Sequence, residues 1–234
     1  MEDVLLKLTE NFEEENSTHE QIINSVKEIK VINAQIDFLL EKIHSKPNEM
    51  NEILNQTKEF QETLQQKYSS LFDLIPKGKY YKYYYLWKAT GSQSVFLIAI
   101  IHWFENKTLI TQETVKNLFH PSNKEDISQI GIDLENYLFG LIQLSNELSR
   151  FAGTFASHGK YQLVQEIQNF LNVIYNGFKC LNLKNDDLRR RFDTLKYDLK
   201  RLESIQTDIH KLKGFETFLE KNFQEKDEME IDQK

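Results

Sequence analysis

Only three prolines and eight glycines interrupt 234 residues. A many-stranded β fold needs frequent turns, and turns draw on those two residues, so sparse punctuation points to long helices. Strand-type alternation is hard to find anywhere along the chain. Apolar residues make up 40% and charged residues 28% of the total, a balance that suits a folded globular protein and not a disordered one. The length is enough to bury a sizeable core.

The breaks divide the chain into helical segments. Residues 2–44 carry Ile22, Val26, Ile29, Ile36, Leu40 and Ile43 at three-, four- and seven-residue spacings, and Pro47 ends the pattern. Residues 49–74 resume it with Ile53, Leu54, Phe60, Leu64, Tyr68 and Leu71, up to the break at Pro76 and Gly78. A third helix is predicted from Tyr80 to Asn106; its later half is apolar on all sides, which places it centrally. Thr111 is a candidate N-cap for a short helix ending near Phe119, before a loop at His120-Pro121-Ser122-Asn123. Asp133 caps a helix to about Ala156, Ser157-His158-Gly159 separates it from a helix over Gln162–Phe178, and Asn185 caps a last helix from Asp186 to about Lys213. Gly214 is placed to stop that helix. The expectation is therefore all-α: one domain of about seven helices over residues 1–215, then an acidic, flexible tail over 216–234. In the last helix Leu188, Phe192, Leu195, Leu199 and Leu202 begin a stripe stepping by four and three, close to a heptad seam. It either packs within its own domain or, in part, meets another subunit.

Charge argues against an overall basic binding protein, since the net value is −7. Its distribution is uneven. Residues 1–20 hold seven acids and one Lys, residues 216–234 seven acids and three Lys, and the basic stretches lie between. A local surface can then differ in sign from the whole. Cys180 is the only cysteine, so no intramolecular disulfide forms and a reducing compartment is expected. No signal peptide is apparent at Met1-Glu2-Asp3-Val4, and Val95–Phe104 is about half the roughly 20 residues that span a bilayer. A cytoplasmic location, with the nucleus as a second, and no membrane partner are the expectations.

Catalytic motifs are absent. There is no Walker loop, GxGxxG, CxxC or HExxH, and the histidines at 19, 44, 102, 120, 158 and 210 have no metal-ligand spacing. The unusual stretch is residues 77–88, with four Lys, five Tyr, one Trp and no acid. Lysines neutralise phosphates, and aromatic faces stack on unpaired bases. The alternative is a helix entering the core with solvated lysines at its start. On a continuous helix Tyr81, Tyr84, Tyr85 and Lys88 share one face. A second basic cluster holds Lys184, Arg189, Arg190 and Arg191. Consecutive arginines fan around a helix, so not all can face one ligand, and pairing with Asp186, Asp187, Asp193 or Asp198 competes.

Residues 182–200, read as NLKNDDLRRRFDTLKYDLK, resemble the C-terminal signature of the translin family, close to LKNDSLRKRYDGLKYDVK. Asp133-Leu134-Glu135-Asn136-Tyr137-Leu138-Phe139-Gly140, then Ser145-Asn146-Glu147-Leu148-Ser149-Arg150, resemble its DVEDYLSG and SELSR. Residues 80–88 resemble its YYRFHEHWR, and Thr108-Leu109-Ile110-Thr111 its TLVT. The resemblance covers residues 5–215. It implies a seven-helix fold and a hollow homo-octamer holding single-stranded GU- or GT-rich RNA or DNA on its inner surface. It also implies partnership with the paralogue trax in an endoribonuclease linked to passenger-strand removal in RNA silencing and to tRNA fragment processing.

The candidate binding residues, from the two basic stretches and the resemblance together, are Lys79, Lys82, Tyr84, Trp87 and Lys88, with His19 and Arg189, Arg190 and Arg191. The family's two histidines in the basic motif are replaced by Tyr84 and Leu86, and its basic residue on the first helix by His19, which is mostly neutral at pH 7. The stripe at Leu188, Phe192, Leu195, Leu199 and Leu202 is the expected oligomer interface. Trax places four metal-binding acids on its third and fifth helices. They align with Gln93, Phe96, Gln143 and Glu147, so only Glu147 keeps its carboxylate. A non-catalytic translin member is expected, with no cofactor of its own and Mg2+ only in the partner. A weak metal-dependent nuclease and a purely structural helical scaffold are the alternatives.

Overall fold

A computed structural model describes residues 2–119, 131–181, 183 and 186–231. The described residues form eight α-helices: α1 Glu2–Ser45, α2 Met50–Asp73, α3 Tyr80–Tyr83, α4 Lys88–Asn106, α5 Gln112–Phe119, α6 Leu134–Ser157, α7 Tyr161–Lys179 and α8 Asp186–Ile231. A single 3-10 turn, Tyr84–Leu86, joins α3 to α4. The protein is all-α, as its punctuation implies. Expected breaks at Pro47 and Gly159 are present, and Gly78 and Gly159 take the left-handed backbone that a residue with a Cβ avoids. Thr111 and Asp133 cap as their residue types suggest: Thr114 N–H donates to Thr111 Oγ1 at 3.1 Å and Asn136 N–H to Asp133 Oδ1 at 2.8 Å. The loop at 120–123 and the cap at Asn185 lie outside the described residues.

Two helices depart from the sequence reading. The predicted helix over Tyr80–Asn106 is interrupted, because Trp87 turns fully inward and the chain tightens into the 3-10 turn before it. The last helix passes Gly214 without stopping and continues to Ile231. A glycine disfavours a helix interior by only about 1 kcal/mol, and the residues after it are mostly good helix formers.

The chain divides into two compact units, residues 1–144 with 183–191 and residues 145–182 with 192–234; α6 and α8 each run through both. In the first unit α1 and α2 form an antiparallel hairpin whose inner face buries Ile22, Ile29, Ile36 and Ile43 with Leu64, Tyr68 and Leu71. Against it lies α4, buried at Val95, Leu97, Ile100 and Trp103, the central helix its composition predicts. A buried polar knot ties the three together. The Ser94 hydroxyl lies 2.9 Å from Asn33 Nδ2 and 2.8 Å from the Tyr68 hydroxyl. Each of these groups would cost stability if left unpaired, so the knot fixes the helix register. The α6 crossing is close: a Cβ on Gly140 would sit 2.5 Å from Val95 Cγ1, so only glycine fits.

In the second unit α7 buries Val164, Ile167 and Leu171 with Phe151 and Phe155 of α6 and Leu195 and Leu202 of α8. Phe192 stacks on Phe178 and Tyr175, at 5.7 and 5.6 Å between centroids. Part of the stripe expected as the oligomer interface is therefore taken up inside the chain. Leu188, Leu195 and Leu202, 5%, 1% and 0% exposed, lie on the buried edge of the stripe within the chain itself, and Phe192 is spent in the ring stack. Leu199 is half-buried.

Asp198 of α8 is buried beside α6. Its Oδ1 accepts from Asn146 Nδ2 at 3.2 Å, while Oδ2 meets no hydrogen-bond donor among the described residues. Burial lifts its pKa to about 6, against the Asn146 hydrogen bond and the Arg201 charge. The native state therefore holds this proton at a pH where the unfolded chain has released it. The associated stability is full below the ordinary carboxylate pKa and is lost as pH rises through about 6. Asp198→Asn should raise stability at pH 8 by on the order of 2 kcal/mol and flatten the fall between pH 4 and 7. Thermal denaturation of both proteins across that range checks it.

Candidate nucleic-acid interface

The segment from Lys77 to Lys88 sorts its aromatics by burial. Tyr80, Tyr83 and Trp87 point into the core, where Trp87 meets Tyr80 edge-on at 5.5 Å and Phe72 at 6.3 Å. Tyr81 and Tyr85 stand in solvent, 76% and 65% exposed. Tyr84 is half-buried, and burial, with Asp133 nearby, raises its hydroxyl pKa above the usual phenol range. Trp87 is thus a core residue and not a stacking platform, and Tyr84 does not share an open face with Tyr81 and Tyr85. The cause is the 3-10 turn, which changes the angular step that a continuous helix would have.

The cations are partly engaged. Glu15 of α1 bridges Lys79 at 3.0 Å and Lys82 at 2.6 Å. One turn on, His19 Nε2 is 3.1 Å from the Tyr85 hydroxyl. The first helix thereby clamps the aromatic segment through two residues four apart. Lys82 and Lys79 hold the Glu15 carboxyl below its usual pKa, and Glu15 in turn raises that of Lys79. Lys88 pairs with Glu135 at 2.9 Å, with its ammonium 6.0 Å from the centre of the Phe139 ring.

The second basic cluster converges on that ring. The Arg191 guanidinium lies 5.1 Å from the Phe139 centroid, within cation–π range, and Arg190 pairs with Asp187 at 3.2 Å. A groove of about 570 Å³ results, lined by Tyr85, Lys88, Ser92, Phe139, Gln143, Arg190 and Arg191, with Ala89 and Asp187. Arg189 is exposed outside this lining, as the fan of consecutive arginines requires. Lys79, Lys82 and His19 lie on the α1 clamp and are not part of the lining; Lys184 lies outside the described residues. The structure brings together Lys88, Arg190 and Arg191, with Tyr85 as the exposed aromatic.

Sequence reasoning missed Phe139 and Gln143 as groove residues. Two signals pointed there. Phe139 stands where the family pattern has serine, and Tyr85 where it has glutamate, so both changes add an aromatic ring. Of the positions aligned with metal-binding acids, Phe96 is buried, Gln143 lines the groove, and Glu147 is tied to Arg150 at 2.7 Å. Among the described residues no group of three or more His, Cys, Asp or Glu is placed to hold a metal ion. No described helix is long and apolar enough to cross a membrane.

The chain is thus an all-α protein whose groove gathers cations and aromatic rings. The translin family model matches residues 17–210, and the chain belongs to that family. It is 35% identical over 155 residues to translin of Homo sapiens, covering 65% of this chain and 66% of that protein. To Translin-associated protein X of Rattus norvegicus it is 24% identical over 205 residues, covering 80% and 70%. The stronger similarity places it with the translin member. The chain spans just under two thirds of the translins it matches, 66% of their length. The fold is similar to that of apo-NeC3PO, with a TM-score of 0.67 at 17% identity over 86% of this chain and 94% of that one. AfC3PO in complex with duplex RNA gives 0.57 at 18% identity, over 86% and 93%.

Replacing Glu15 removes the partner that raises the Lys79 pKa. Glu15→Gln should therefore speed acylation of Lys79 by a limiting amine reagent at pH 8, read by mass spectrometry of the 77–88 region. Unchanged labelling would mean that the bridge does not persist in solution.

Proposed function

We propose that this chain is an oligomeric nucleic-acid-binding protein that acts as the non-catalytic scaffold of an endoribonuclease completed by a trax partner. The observation that carries the reading is the groove, where Lys88, Arg190 and Arg191 from two helices converge around Tyr85 and the Phe139 ring. Phosphates neutralise the cations and bases stack on the exposed ring, which is the chemistry of single-strand binding. Family membership supports it, as do a relative named Translin-associated protein X and a fold neighbour solved with duplex RNA. The finer reading is a hollow homo-octamer binding GU- or GT-rich single-stranded RNA or DNA. It would serve passenger-strand removal in RNA silencing and tRNA fragment processing, in the cytoplasm and nucleus. Mg2+ would belong to the partner, since Gln93, Phe96 and Gln143 offer no carboxylate.

Two observations favour a second reading, a purely structural scaffold: Trp87 is core, and Lys79 and Lys82 are bridged by Glu15. Salt dependence separates the two. Binding of a labelled GU-rich single strand should weaken steeply as salt rises, with the logarithmic slope growing by about 0.7 for each phosphate neutralised. Lys82→Ala combined with Lys88→Ala should lower affinity and flatten that slope by up to about 1.4, with the mass by light scattering unchanged. Normal binding by the double variant would place the site elsewhere, and absent or salt-insensitive binding by the parent would favour the scaffold.

A further inference from the structure

Gln143 is half-buried in the groove, one helical turn beyond Phe139 on the same face of α6. Among the described residues its amide makes no hydrogen bond. The other uncharged polar groups there are occupied: the Ser92 hydroxyl donates to Asn136 Oδ1 at 2.9 Å, and the Tyr85 hydroxyl lies 3.1 Å from His19 Nε2. Gln143 therefore holds the one neutral donor–acceptor pair of this lining that is unused. Around it stand Lys88, Arg190 and Arg191, which carry only donors. The one carboxylate of the lining, Asp187, is paired with Arg190.

We propose that Gln143 is the specificity-determining residue of this groove, reading the edge of a nucleobase stacked on Tyr85. Resting on the nucleic-acid reading above, the inference names the residue that would enforce its preference for GU- or GT-rich strands. The amide carbonyl accepts from a ring N–H while the amide NH2 donates to the adjacent exocyclic oxygen. Guanine offers that edge as N1–H with O6, and uracil or thymine as N3–H with O4. Adenine and cytosine present an exocyclic amino group instead. An amide could reverse to match them, but the cations of the lining repel an amino group and attract a carbonyl oxygen. The surrounding donors thus set the direction in which the amide reads, and keto bases win.

The test uses the full chain and fluorescein-labelled 12-mers of uridine, cytidine, adenosine and mixed guanosine–uridine, titrated at several salt concentrations. The parent should bind the uridine and mixed strands about tenfold more tightly than the cytidine and adenosine strands. Gln143→Leu should erase that ranking with no change in salt slope. Gln143→Glu, which offers acceptors only, should shift preference toward cytidine and adenosine. Lys88→Ala should reduce the salt slope and keep the ranking, because Arg190 and Arg191 still set the direction in which the amide reads. A parent ranking retained by Gln143→Leu and Gln143→Glu overturns the inference while leaving the binding reading intact. A parent that binds none of the strands overturns that reading itself.

Discussion

The approach of α6 to α4 at Gly140 and Val95 decides where the chemistry can sit. The absent side chain at 140 lets the two helices meet at a separation that a Cβ, 2.5 Å from Val95 Cγ1, would forbid. Phe139 precedes that contact and Gln143 follows it, so the crossing carries both to the Lys88 and Ser92 side of α4. Ser92 reinforces the crossing through Asn136, and Ser94 ties the same helix to α1 and α2 from its other side. A helix held by a steric fit and two buried hydrogen-bond sets has one register, and the groove inherits it.

Electrostatics then works locally and against the net charge. The whole chain is acidic, yet the lining of the groove holds three cations and one carboxylate. Acids from other elements temper those cations: Glu135 on Lys88, Asp187 on Arg190, and Glu15 on the neighbouring Lys79 and Lys82. Exposed pairs of this kind are worth little in water. Under the proposed function a polyanion would exchange with these carboxylates at small cost.

Much of the fold was legible because helices are local. Breaks at Pro47 and Gly159, caps at Thr111 and Asp133, and the apolar central helix all follow from residue type and spacing. The misreadings are tertiary. Trp87 in a basic run reads as a binding residue, and only packing against Phe72 and Tyr80 shows that it is core. Leu195 and Leu202 have the spacing of a partner seam, but a heptad stripe looks the same whether its own chain or another subunit covers it. For the site, the basic residues were visible as clusters, whereas Phe139 and Gln143 became meaningful only when α6 was brought beside α4 and the start of α8. Three arginines in a row could not declare which of them faces inward.

Photocrosslinking addresses the central claim, that nucleic acid lies in this groove. A single strand carrying 4-thiouridine would be irradiated with the assembled protein, and the adducts mapped by peptide mass spectrometry. Adducts concentrated on the peptides bearing Tyr85, Lys88 and Phe139, and suppressed by excess unlabelled strand, are the predicted result. Competable adducts confined to α7, with none on those peptides, would contradict it.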